Sequence, residues 1–144
     1  MNDSIMKDEI RTLRENSTIA YLASVNDNGY PQMKAMLIFE QKRDLKVHYF
    51  STNTSSKRVG QFLKNPKASV YYCDNENFKG ALFTGTIEVC SDRASRELLW
   101  TGDECFQYYP GGIDDEDYSV LKFTAETVNY YHGEGNITLS ADDL

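Results

Sequence analysis

The sequence is short of the residues that staple small proteins together. Only three of its 144 residues are cysteine, Cys73, Cys90 and Cys105, and no two form a Cys-x-x-Cys pair. An odd number of widely spaced thiols argues against a disulfide framework and a thiolate zinc site, and fits a reducing compartment. His48 and His132 are the only histidines, each read as a structural or surface residue, and no metal site is expected. The acidic run "DDED" (114–117) lacks the one-three-five spacing of a calcium loop and reads as a solvated turn. Glycine is sparse as well: no P-loop or Gly-x-Gly-x-x-Gly turn occurs, and "GEG" (133–135) opens no evident helix. No window approaches ~18 apolar residues. The start, "MNDSIMKDEIRTLRENS", has no apolar core of signal-peptide length, so a cytoplasmic protein without a membrane anchor is expected.

Positive charge is the last scarcity. Fifteen Lys and Arg face 22 Asp and Glu, a net charge of −7, which argues against nucleic acid or an anionic membrane as a partner. An anionic ligand would need a local cluster of cations set against that field.

What is present describes one soluble domain spanning 1–144. Apolar residues make up 40% of the chain, with ten Tyr and seven Phe, enough for a core without metal or disulfide support. Met6, Ile10 and Leu13 recur at helical spacing, giving an N-terminal helix within 1–16. Strands are expected over 18–25 and 30–40, joined by the turn "NDNG", then over 45–51, 67–74, 79–90 and 118–131, the last interrupted near Ala125-Glu126. Helices are read from about Ser55 to the "NP" at 65–66 and over 91–100, and residues 134–144 read as a tail. Met36 and Ile38 lie on one side of the second strand and Leu37 and Phe39 on the other. Strands apolar on both faces suggest a barrel whose outer wall meets helices or another subunit. The fold class is therefore mainly β with flanking helices.

Two segments carry chemistry. "YFSTNTSSKR" (49–58) places hydroxyls, amides and two cations where a strand passes into a helix. Unpaired amides and the positive dipole end of that helix, with Ser55, Ser56 and Lys57, make a phosphate site. An ordinary serine cap with a solvated lysine is the competing reading. In "QMKAML", Lys34 sits in mid-strand among apolar neighbours and either reaches water at a sheet edge or meets an anion.

Taken in order, strand–"KAML"–strand–"STNTSSK"–helix resembles the FMN-binding split barrel of the pyridoxamine 5′-phosphate oxidase-like superfamily. The later "LLW" and "YYPGGIDDEDYSVLKFTAETVNYYHG" are similar to the closing signature of its general-stress-protein branch. The resemblance covers roughly residues 5–133. It implies a six-stranded antiparallel split β-barrel, homodimeric, with FMN as cofactor at the subunit interface. Lys34 would lie near the flavin phosphate or ribityl chain, Ala35, Met36 and Leu37 along the ring edge, and Phe50, Ser51 and Thr52 would continue that wall. Ser55, Ser56 and Lys57 would grip the phosphate. Trp100, with Tyr108 and Tyr109, would cover the ring from the partner chain or serve only as aromatic packing. The function implied is an FMN-dependent oxidoreductase with an unknown small-molecule redox partner and no assignable catalytic side chain. A flavin-binding stress module without turnover, or a haem or deazaflavin barrel with His132 as axial ligand, are the alternatives. Phe39 stands where the vitamin-converting oxidases carry a substrate lysine, Ser56-Lys57 replaces their Arg-Lys pair, and the chain stops at "NITLSADDL" without further basic ligands. Turnover of pyridoxamine phosphate is therefore not expected.

Overall fold

The computed structural model describes residues 2–144. In chain order the elements are α1 (Asp3–Asn16), β1 (Ile19–Val25), β2 (Pro31–Leu37), β3 (Val47–Asn53), α2 (Lys57–Lys64), β4 (Lys67–Asp74), β5 (Lys79–Cys90), α3 (Arg93–Leu99), a 3-10 turn (Asp103–Gln107), β6 (Tyr118–His132), β7 (Gly135–Ser140) and a last 3-10 turn (Ala141–Asp143). All pairings are antiparallel, in the order β2-β1-β4-β5-β6-β3, with β7 beside β6. This is the mainly antiparallel β fold with flanking helices expected of a split barrel.

Seven strands form where six were expected, because residues 134–144 are not a tail. Gly135–Ser140 pairs with Thr127–His132, and Ile137 and Leu139 pack on the core. Strand β2 stops at Leu37, short of residue 40, and the helix after β3 begins at Lys57 with Ser56 as its cap rather than at Ser55.

β6 is the spine. Its first half pairs with β3, its second half with β7, and β5 runs along both. Thr84 opposes Thr127 while Gly85 opposes Ala125, which leaves Glu126 unpaired in a bulge. That is the interruption read near Ala125-Glu126. A Cβ on Gly85 would lie 2.0 Å from the Thr124 carbonyl oxygen, so only glycine allows the close crossing.

Period-two alternation sends one set of side chains inward. Leu22, Val70, Phe83 and Val128 are in register across four strands, and all are buried. α1 closes one end with Met6, Ile10, Leu13 and Arg14. Arg14 is 1% exposed. Its Nη2 donates to Glu40 Oε1 at 2.6 Å, and its Nε lies 3.2 Å from His48 Nδ1 and 3.3 Å from the Tyr72 hydroxyl. His48 Nε2 donates to the Leu45 carbonyl at 2.8 Å, which fixes the tautomer and leaves Nδ1 to accept from Arg14 and from Tyr72 at 2.7 Å. Burial, with Arg14 beside it, holds the His48 pKa well below the ordinary histidine range. His48 is thus a structural residue. Arg43 Nη1 ends α1 by donating to the carbonyls of Arg14, Glu15 and Ser17.

Candidate functional site

β2 and β3, the two strands carrying the candidate residues, stand at the two ends of the sheet order. Among the described residues each pairs with a single neighbour, β2 with β1 and β3 with β6. Met36 of β2 and Phe50 of β3 nevertheless both point into the one large core, so the two edge strands border the same interior without a hydrogen-bonded ladder between them.

Alternation divides the sequence-derived set. Met36, Phe50 and Thr52 are buried, Ser51 is half-buried, and Lys34, Ala35 and Leu37 are exposed. Lys34 is registered with Leu22 on the inward face yet reaches water because β2 is an edge, as the edge-strand reading of this lysine had it. Consecutive residues of one strand cannot all turn side chains to one ligand, so Ala35–Leu37 and Phe50–Thr52 can present a common wall only through their backbone.

At the start of α2, Ser56 is extended and makes no side-chain cap; its hydroxyl lies 3.3 Å from that of Thr52. The first amides of α2 therefore lack both an intrahelical partner and a serine cap. Lys57 is exposed on the same turn. Arg58 is half-buried, burial lowers its pKa, and its Nε is buried without a partner. Tyr109 is buried with its hydroxyl near Ser51, Cys105 and Arg58, and burial pushes its pKa up. Lys57 and the uncapped amides of α2 are thus gathered at one corner, next to an Arg58 whose Nε is buried and unpartnered.

Ser55 behaves differently. Its amide donates to Asp117 Oδ1 at 2.8 Å and its hydroxyl to Oδ2 at 3.2 Å, while Asn53 Nδ2 donates to the same carboxylate at 2.9 Å. These bonds hold Asp117 below the usual carboxylate range. Ser55's donors are already engaged, and Asp117, read from the sequence as part of a solvated turn, is the brace of the β3–α2 loop. In the sequence Arg58 is simply the second of two adjacent cations. Its i+1 place after Lys57, ahead of the buried Val59, was the available signal.

Trp100 is half-buried in its own chain's aromatic cluster, with ring centroids 5.2 Å from Phe106 and 5.7 Å from Tyr118. Tyr109 stacks on Tyr118 at 4.4 Å, and Tyr108 stands exposed. Tyr49, on the outward face of β3, adjoins this cluster, so it flanks Ser51. His132 lies elsewhere: its Nδ1 accepts from the Glu134 amide, and its Nε2 is 3.4 Å from where a Cβ on Gly135 would stand.

The family model for pyridoxamine 5′-phosphate oxidase matches residues 6–132. The chain belongs to this family. It is 45% identical to a crystal structure from Clostridium acetobutylicum described as related to general stress protein 26 of the pyridoxine-phosphate oxidase family, over 99% of both chains with a TM-score of 0.88. This places it in the general-stress-protein branch. A pyridoxamine 5′-phosphate oxidase-related, FMN-binding protein from Nostoc punctiforme shares the fold at 15% identity, covering 94% of this chain and 88% of its own, with a TM-score of 0.65. A heme-binding protein from Mycobacterium smegmatis does so at 16% identity, TM-score 0.75, over 94% of this chain and 57% of its own. A search of curated proteins finds no match. No helix among the described residues is long and apolar enough to cross a membrane.

Proposed function

We propose that this chain binds FMN across the seam between β2 and β3, as a homodimer, and serves redox chemistry other than pyridoxamine phosphate oxidation. One observation carries the reading: the uncapped start of α2, with the unpartnered Arg58 Nε and the exposed Lys57, lies at the end of a free-edge strand in an otherwise acidic protein. That donor set fits a phosphate dianion. Lys57, Arg58, Ser56 and the first α2 amides would hold the phosphate, and Lys34 would add charge from the other edge. Ser55 takes part only if it leaves Asp117. The backbones of Ala35–Leu37 and Phe50–Thr52 would wall the ring. Bound there, a flavin supplies hydride or electron transfer, while the protein binds it, orients it and limits water. No side-chain acid or base need be assigned for that.

The dimer reading is supported by the outward wall at β2, where Met33 is 71% exposed and Leu37 and Ile19 are also exposed. Phe39, in the place of the substrate lysine, packs edge-on against Tyr108 at 6.3 Å. An aromatic seat there does not bind a second phosphate.

Freshly isolated protein should show a flavin absorption spectrum and release FMN on denaturation. Colourless protein that FMN neither stabilises nor quenches would reject the reading. Lys57→Ala should weaken FMN by about tenfold or more, the scale of a charge-assisted hydrogen bond, and leave riboflavin nearly unchanged. Equal losses, or none, remove Lys57 from the phosphate. Bound flavin that NADH and NADPH fail to reduce would favour a binding module over an enzyme. Haem remains a second reading because His132 Nε2 is buried without a partner; a Soret band abolished by His132→Ala would favour it.

A further inference from the structure

A cavity of about 620 Å³ lies between α1 and the barrel end, a volume ordinary for small-molecule sites. It shares none of the residues assigned above to the flavin. Its wall on α1 is the stripe Ile5, Asp8, Glu9, Thr12, Leu13 and Asn16, and its other wall comes from the start of β1, the end of β4 and Tyr130 of β6.

The polar lining is what marks the cavity as a site. Tyr130 is 1% exposed, and the one polar group beside its hydroxyl is the Glu9 carboxylate. Glu9 Oε2 is likewise buried, and neither atom has a partner beyond the other. Burial and the Glu9 carboxylate push the Tyr130 pKa up to about 12, so the phenol stays protonated. A phenol and a carboxylate that have only each other leave their acceptor lone pairs unfilled, which is costly in a buried place unless something else fills them. The charge in the cavity is one-sided: the carboxylates of Asp8, Glu9 and Asp74 meet only the Lys79 ammonium. Asp74 is engaged by the amides of Glu76 and Asn77 and by Asn77 Nδ2, which leaves Glu9 as the acceptor facing inward. Ile5, Leu13, Ile19 and Tyr21 supply apolar surface around these groups.

We propose that this cavity binds a small primary ammonium compound with an apolar body, its N–H groups donating to Glu9 Oε2 and to the Tyr130 hydroxyl oxygen. An ammonium brings three donors and no acceptor, matching an acceptor-only carboxylate beside a phenol oxygen. A carboxylate ligand of the same shape meets three like charges, and an alcohol brings a single donor.

Phenethylammonium, 2-phenylethanol and 3-phenylpropionate are suitable probes, titrated into the full chain by calorimetry and amide NMR, with and without saturating FMN. Phenethylammonium should bind saturably, shifting amides of α1 and of the Tyr130 end of β6, while the alcohol binds at least tenfold more weakly and the carboxylate not at all. Glu9→Gln should weaken the ammonium at least tenfold. Tyr130→Phe should weaken phenethylammonium severalfold while leaving the weaker affinity for 2-phenylethanol unchanged; an equal loss for both would mark a merely structural tyrosine. Equal affinity for the alcohol, wild-type affinity in Glu9→Gln, or no saturable binding in the millimolar range by the folded chain would overturn the proposal. The FMN result is separate: Lys57→Ala should leave phenethylammonium affinity unchanged, so either reading can fail alone.

Discussion

The polar cluster around Arg14 and the one at the start of α2 are built from similar parts: arginine, hydroxyls and a carboxylate. They differ in what has been left unmade. Around Arg14, Glu40, His48, Tyr72 and a backbone carbonyl absorb nearly every donor, leaving only Nη1 without a partner. At α2 the carboxylate, Asp117, has been turned onto Ser55 and Asn53, while Arg58 Nε has no hydrogen-bond partner and Ser56 leaves the first helix amides uncapped. A closed network fixes a fold, whereas donors left open at the surface end of a strand are available to a guest.

Breaking the closed cluster should have the largest effect. Arg14→Leu leaves Glu40 buried without its cation, which typically costs about 3–5 kcal/mol. A melting temperature lower by roughly 10 °C or more is expected for a chain of this size. A loss under ~1 kcal/mol in denaturant unfolding would mean that the cluster is not closed in the physical sense argued here.

Acid provides a gentler break. The pKa of His48 is lowered in the fold, so below the ordinary value of about 6.5 the unfolded chain takes up a proton that the folded chain refuses. Stability is therefore full above that value and falls as pH drops beneath it. Glu40 runs the other way: its pKa is raised from 4.5 mainly by burial, so its contribution declines as pH rises from there. Comparing wild type with His48→Gln between about pH 5 and 7.5 isolates the histidine; the variant should lose that part of the slope. Parallel curves would show that His48 titrates freely.

The smallest effect should come at the open corner. Asp117→Asn removes a negative charge beside the proposed phosphate site and keeps the one acceptor oxygen that the Ser55 amide needs, giving up the bond from Asn53. FMN should bind about two- to fivefold more tightly at low salt, with the gain fading as salt rises. Weaker binding in the variant would mean that the brace positions the loop more than it repels the ligand.

These contrasts also mark where the sequence was readable. β4 and β5 follow their alternating patterns to the residue, over 67–74 and 79–90, because period two and flanking turn residues agree there. The joining of β3 to α2 was legible from its run of hydroxyls and cations. β7 was missed although Asn136–Ser140 alternates, since a short polar-rich hairpin arm gains its stability from the neighbouring β6 rather than from its own composition. Arg14 continues the buried stripe of α1, but an arginine in a stripe reads as solvated until its partners from three distant segments are known. The bonds that occupy Ser55 were hidden for a related reason: the carboxylate that takes its donors lies 62 residues away.

The length of β6 sets a distance. Tyr118, in the aromatic cluster beside β3, and Tyr130, under α1, are twelve positions apart on one strand, roughly 40 Å along the chain at ~3.3 Å per residue. Mobile ions damp a surface charge over ~8 Å under physiological conditions. A phosphate arriving at one end is thus electrically invisible at the other, and titrating two compounds in either order should return the same pair of dissociation constants.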